Sequence, residues 1–319
     1  MGSNIILYPK YCLATLQFPT SLWSRERMEK HMEWHNVIDP ASPELDKLAE
    51  RYHLHPLHVE DCRQRLESTK IEEGESYLFT VIKCVELRAD GEIDARDVDL
   101  FLGRDYLISV IEAGDKDTQQ RIERLQTANT HLRADQIYYR IIDATVDTYH
   151  PVIDHYSEII DEIEDNAMEA ATPKTLSRIF EIKRVLILLR RILVHSRDVM
   201  THLQRVDSPY IRRDMWPFLR DVYDHLARNL DHVETLRDLL SGCLDVYLSS
   251  VANRTNQVMK VLTVLSTIAL PALVVSGIYG MNIKGLPGSD AQYGLVVILG
   301  MMVASTVILL WILRRFNWL

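Results

Sequence analysis

Residues 261–282 read VLTVLSTIALPALVVSGIYGMN, and residues 293–313 read YGLVVILGMMVASTVILLWIL. Neither Val261–Tyr279 nor Tyr293–Leu313 carries a charge. Each is close to the ~20 apolar residues that a helix needs to cross a ~30 Å hydrocarbon layer. From 261 to 313 the only charges are Lys284 and Asp290, both in the linker. Two such runs joined by a short linker favour membrane spans over a buried hairpin in a soluble core. Arg254 and Lys260 precede the first run, and Arg314 and Arg315 follow the second. The excess of basic residues on those flanks predicts cytoplasmic termini and an external linker. Trp311 and Trp318 suit the inner interface, and Tyr279 and Tyr293 the outer one. Gly280-Met281-Asn282 then lies at the outer mouth, where backbone carbonyls and one carboxamide are hard, neutral oxygen ligands suited to a hydrated hard cation. A single helical hairpin has no interior, so any conduction requires several copies around an axis.

Upstream, no proline interrupts the chain between Pro217 and Pro271. Apolar periodicity runs through Leu239, Leu240, Leu244, Val246, Leu248 and Val251 into the first span. This predicts one helix of about 60 residues, ~90 Å long, standing below the membrane as a stalk. A helix of that length needs lateral partners. Asn253, Asn256 and Gln257 put carboxamides at its membrane threshold. Asn256, Met259, Leu262, Leu270, Leu273 and Gly277 fall on approximately one stripe of the same helix.

Earlier still, 134–171 reads as a long helix with an acidic far end: Glu158, Asp161, Glu162, Glu164, Asp165 and Glu169. Thr172-Pro173 opens a basic helix to about Arg205, with Arg178, Lys183, Arg184, Arg190 and Arg191. The pair predicts an antiparallel hairpin whose charges are chiefly solvated faces. Residues 1 to about 115 read as mixed α/β. Ser76–Leu87 and Val98–Ile111 predict paired strands around the turn at Ala89-Asp90-Gly91. Ser42-Pro43-Glu44-Leu45 opens a helix to about Tyr52, and another follows from Pro56.

The net charge of −9 disfavours a nucleic-acid partner and suits a protein that attracts cations. Cys12, Cys62, Cys84 and Cys243 lack paired spacing, as in a reducing compartment. Met1–Lys10 has too short an apolar stretch for a signal peptide, so the internal spans are expected to direct the chain to the inner (plasma) membrane.

These features together resemble the CorA family of divalent-cation channels. The resemblance rests on Asp221-Val222-Tyr223-Asp224-His225, the run 244–259 (LDVYLSSVANRTNQVM), Pro271, Tyr279-Gly280-Met281-Asn282, the closing Trp318-Leu319, and His55-Pro56-Leu57 with Glu60-Asp61. It implies an α+β cytoplasmic domain, a long helical stalk and two C-terminal transmembrane helices, assembled as a funnel-shaped homopentamer in the lipid bilayer. The expected divisions are 1–133 (α/β), 134–215 (helical hairpin), 216–260 (stalk), 261–279 (pore-lining span), 280–292 (external loop), 293–313 (outer span) and 314–319 (cytoplasmic tail).

The resemblance further implies that five copies of Asn282, with Gly280 and Met281, form the filter. Magnesium keeps its waters tightly, so a neutral ring can bind the hydrated ion through them. Asn282 would also serve as an ordinary helix C-terminal cap. Asn256 becomes an inner polar ring, and Met259, Leu262 and Leu270 apolar constrictions that block by dewetting. Relatives often have a hydroxyl where Leu273 stands here. Asp221 becomes an interfacial regulatory ligand, with Glu72 or Glu75 as its partner. Mg2+ is then both cargo and regulator, Co2+ a second cargo, Ni2+ a further one, and no organic cofactor is expected.

The nearest alternative keeps the fold and changes the ion. Gly285-Leu286-Pro287-Gly288 and Lys284 resemble ZntB-like zinc transporters, and His53, His55 and His58 are softer ligands. A non-conducting membrane metal sensor or scaffold is a third reading. A membrane-anchored hydrolase using His225 and Asp221 is a fourth, but no nucleophile elbow, phosphate loop or metal-hydrolase helix is visible, and the expectation is a non-enzyme.

Overall fold

The computed structural model of the chain describes residues 32–64, 69–88, 91–112, 116–128, 132–169, 171–205, 208–281 and 293–315. Strands β1 (Glu33–Ile38), β2 (Lys70–Glu73), β3 (Leu78–Leu87), β4 (Ile93–Leu102) and β5 (Tyr106–Ile111) form one sheet in the order β1-β5-β4-β3-β2. β1 runs parallel to β5, and every other pair is antiparallel. The expected continuous strand Val98–Ile111 is two strands. Gly103 N donates to Tyr106 O at 2.9 Å and turns the chain. The Tyr106 ring lies across that turn, and a Cβ at position 103 would sit 2.1 Å from it. Only glycine permits the hairpin in this form.

Alternation along the strands divides the apolar residues between two faces. Phe79, Val81, Phe101, Ile108 and Val110 face α1 (Pro43–Tyr52) and α2 (Pro56–Arg63). As expected, Ser42 caps α1, its Oγ accepting from Glu44 N at 3.1 Å. On the other face, Leu78, Ile82, Val98, Leu100 and Leu102 join the larger core with the later helices.

Those helices are α3 (Lys116–Ala128), α4 (Ala134–Val146), α5 (Tyr149–Glu169), α6 (Pro173–Arg205), α7 (Trp216–Tyr279) and α8 (Gly294–Arg315). The expected single helix over 134–171 breaks at Asp147-Thr148. Thr148 Oγ1 donates to Thr145 O at 2.7 Å and accepts from Val85 N at 3.1 Å, tying the joint to β3. Pro151 has no N–H to continue the ladder of α4, yet it costs nothing in the first turn of α5, where donors have no intrahelical partner.

Helix α7 has 64 residues and is ~96 Å long at 1.5 Å per residue. Its lower half buries Leu219, Val222, Leu226, Leu230, Val233, Leu236, Leu240, Cys243 and Tyr247. Steps of three and four make these one seam, which packs on α5 and α6. Each fully buried leucine there contributes about 1.5–3 kcal/mol. Helices α5 and α6 pack together, the first shorter than the expected 134–171, and their charges do little across the pair: Arg178 and Glu162 are 3.8 Å apart and exposed. Beyond Tyr247 the seam stops, and residues 251–263 are all exposed in the single chain. The apolar windows of α7 and α8 are long enough to cross a membrane, and neither is buried. A soluble core helix would be covered, so length, composition and exposure mark both as candidate membrane spans.

Candidate functional site

In the upper part of α7 a half-buried stripe consists of Val264, Thr267, Ile268, Pro271, Ala272, Val275 and Tyr279. The matching stripe of α8 is Ile298, Met302, Ser305, Thr306, Leu309, Leu310 and Leu313. These are the mutual contact faces of the two spans. At ~100° per residue, Met259, Leu262, Leu270, Leu273 and Gly277 centre roughly 180° away from the α8 face, with Asn256 flanking them. All six are exposed. One chain thus leaves uncovered the stripe that the family resemblance assigns to a pore.

The top of α7 ends at Gly280, whose N–H donates to Ser276 O at 2.8 Å. A Cβ at 280 would lie 2.8 Å from that same carbonyl oxygen, so the helix closes here on glycine alone. Met281 follows with its N–H on Ile278 O at 3.3 Å and its side chain exposed. Asn282 lies outside the described residues, as do Lys284 and Gly285-Leu286-Pro287-Gly288.

A second constellation lies in the part of the chain before the spans. Asp143 of α4, Asp147 at the α4–α5 joint and His225 of α7 bring ligand atoms within 4.8 Å of one another. Asp221, one turn before His225, adds a fourth group, its Oδ2 lying 3.7 Å from His225 Nε2. Asp143 is half-buried and Asp147 exposed. Burial pushes the Asp143 carboxyl up to about 6; Asp147 and Asp221 raise it further, while His225 opposes them. The raised value records a half-buried carboxylate among like charges, with one imidazole to offset them. A divalent cation here would replace that repulsion with attraction to three carboxylates.

Within one chain Asp221 is therefore grouped with Asp143, Asp147 and His225. Glu72 instead accepts from Lys70 Nζ at 3.1 Å and meets His58 Nε2 at 2.9 Å. Glu75 borders a pocket of about 470 Å³ with Tyr52, Tyr106 and Tyr210. Among the described residues, no hydrogen bond or ion pair joins Asp221 to either glutamate. Asp143 and Asp147 were not singled out from sequence. The available signal was spacing: both Asp143/Asp147 and Asp221/His225 are i,i+4 pairs, each on one helical face.

The histidine run has three structural duties. His58 Nδ1 meets Tyr77 Oη at 2.8 Å, so with Glu72 on Nε2 both ring nitrogens are engaged. Burial lowers its pKa, against the opposing pull of Glu72. His55 caps α2, its Nδ1 accepting from Leu57 N at 3.2 Å. His53 ends α1 in the left-handed conformation, with φ 53°. These roles account for the run without a metal.

A mixed α/β domain, a three-helix column and two bare terminal helices long and apolar enough to cross a membrane define the class: a membrane protein with a large domain before its spans. Residues 29–315 match the family model described as CorA-like Mg2+ transporter protein, and the chain belongs to that family. It is 36% identical over 279 residues to the cobalt/magnesium transport protein CorA of Thermotoga maritima, covering 86% of this chain and 80% of the relative. The complete structure of the CorA magnesium transporter from Methanocaldococcus jannaschii superposes with a TM-score of 0.81 at 22% identity, covering 93% of this chain and 95% of that one. The full-length CmaX protein superposes with a TM-score of 0.74 at 21% identity, covering 92% and 91%.

Proposed function

We propose that this protein carries divalent metal cations across the inner (plasma) membrane, with Mg2+ as the principal cargo and Co2+ and Ni2+ as further ones. Family membership supports divalent-cation transport, and a relative 36% identical is named a cobalt/magnesium transport protein. The observation that carries the reading is the uncovered α7 stripe turned away from α8. Copies packed side by side, five by resemblance, would turn Asn256, Met259, Leu262, Leu270, Leu273 and Gly277 toward a common axis. Asn282, two residues after Gly280 in the chain, would ring the mouth and hold the ion through its waters. The termini would be cytoplasmic, so the membrane potential drives entry: two charges across ~100 mV yield ~4.6 kcal/mol.

Closure would follow from internal metal. A cation held by Asp143, Asp147, Asp221 and His225 would clamp α7 to the α4–α5 joint and stiffen the stalk. Glu72 or Glu75 of a neighbouring copy would complete an interfacial site. As internal metal falls, repulsion among the carboxylates returns and the stalks loosen. The histidine bonding removes one support for the zinc alternative, and the donor set at the clamp is mainly hard oxygen.

The test is uptake of Mg2+, Co2+, Ni2+ and Zn2+ into liposomes holding purified protein, at low and high internal Mg2+. The account predicts Mg2+ influx that slows when the lumen is loaded. Preferential Zn2+ uptake would favour the ZntB-like reading, and no flux of any ion a sensor or scaffold. Flux indifferent to internal Mg2+ would remove the clamp and leave the pore.

A further inference from the structure

We propose that Ser266 forms a hydroxyl ring midway along the ion path, where it contacts the water shell of the passing cation. The inference rests on the pore reading above and goes beyond it in assigning a residue. The α7 span holds four serines and threonines. Thr263 Oγ1 donates to Met259 O at 2.8 Å, Thr267 Oγ1 to Thr263 O at 2.7 Å, and Ser276 Oγ to Leu273 O at 3.2 Å. Each thereby satisfies its hydroxyl within its own helix, as a polar group facing lipid or a neighbouring helix must. Ser266 makes no such bond among the described residues, and it is exposed. In hydrocarbon an unbonded hydroxyl costs several kcal/mol, whereas water satisfies it.

The position of Ser266 agrees with this. It lies one turn above Leu262 and one turn below Leu270, at the centre of the stripe opposite α8. From Met259 to Leu273 that stripe is otherwise apolar over ~21 Å of helix. Ser266 stands seven residues from either end of it. A hydrated dication meets its highest barrier in a long apolar constriction, because such a segment sheds water. A ring of hydroxyls at the midpoint accepts hydrogen bonds from the ion's waters and divides one long dry segment into two short ones.

The experiment is thiol accessibility in liposomes, on a Cys12→Ser background, with internal divalent ions chelated. Cys62, Cys84 and Cys243 are buried and serve as silent sites. A small cationic methanethiosulfonate is applied to Ser266→Cys, Leu262→Cys and Thr267→Cys. Modification of Ser266→Cys with block of Mg2+ flux, while Thr267→Cys stays unmodified, is the expected result. Modification of Leu262→Cys but not Ser266→Cys overturns the proposal and leaves the pore reading standing. If neither is modified although both variants carry flux, both fall. Ser266→Ala is the second measure: Mg2+ flux should fall about fivefold at unchanged oligomer yield. Unchanged flux in that variant also overturns the assignment.

Discussion

Asp99 on β4 is 2% exposed, and its Oδ1 has no hydrogen-bond partner. It faces the Cys62 thiol, Asp61, Asp97 and Lys83, and burial, then Asp97, pushes its carboxyl up to about 8. The folded pKa lies above the unfolded one, so the group favours folding fully below the unfolded carboxylate pKa. That contribution is lost as pH rises through about 8. Asp99→Asn should therefore flatten the fall in thermal midpoint between pH 6 and 8.5 and add about 1–3 kcal/mol of stability at pH 7.5. In the proposed filter, Asn282→Asp would add one negative charge per copy. It should bind the ion more tightly and slow Mg2+ uptake about tenfold, measured in the same liposome assay. The Ser42 cap was legible because it follows from local chemistry that needs no partner, whereas the sequence assigned Gly280 to the filter and did not show that it closes α7. The duties of His58 were not legible, because Glu72 and Tyr77 reach it only through the packing of β2 and β3 against α2.

Among the elements, α7 was the most legible, since a proline-free stretch with unbroken periodicity has one simple conformation. The α4–α5 joint was hidden because its cause is tertiary: the Thr148 hydroxyl accepts from Val85 N of a strand 63 residues earlier. The same joint places Asp147 beside His225, so the acidic cluster depends on a break that periodicity does not reveal. Mg2+ bound there should protect the α4–α7 contact. At 100-fold excess over its dissociation constant, the gain is about 2.7 kcal/mol. Mg2+ should raise the thermal midpoint and slow proteolysis of the full-length protein, and Asp143→Asn combined with His225→Ala should abolish both effects. Undiminished protection in that double variant would place the regulatory ion elsewhere.

At the scale of the whole molecule, a single chain is unfinished. Its lower column is closed by the α5–α6–α7 core, while its upper helix leaves a polar-to-apolar stripe bare on the side away from α8. Lipid can cover leucines, but it does not satisfy Asn256 or give an ion a path. That incompleteness carries the transport reading, and it requires neighbours rather than a change within the chain. The mass of the purified particle by native mass spectrometry tests this most directly. The account predicts a closed assembly of five 37.0 kDa chains. A stable 37.0 kDa monomer that retains transport would contradict it, because one α7–α8 hairpin has no interior through which an ion could pass.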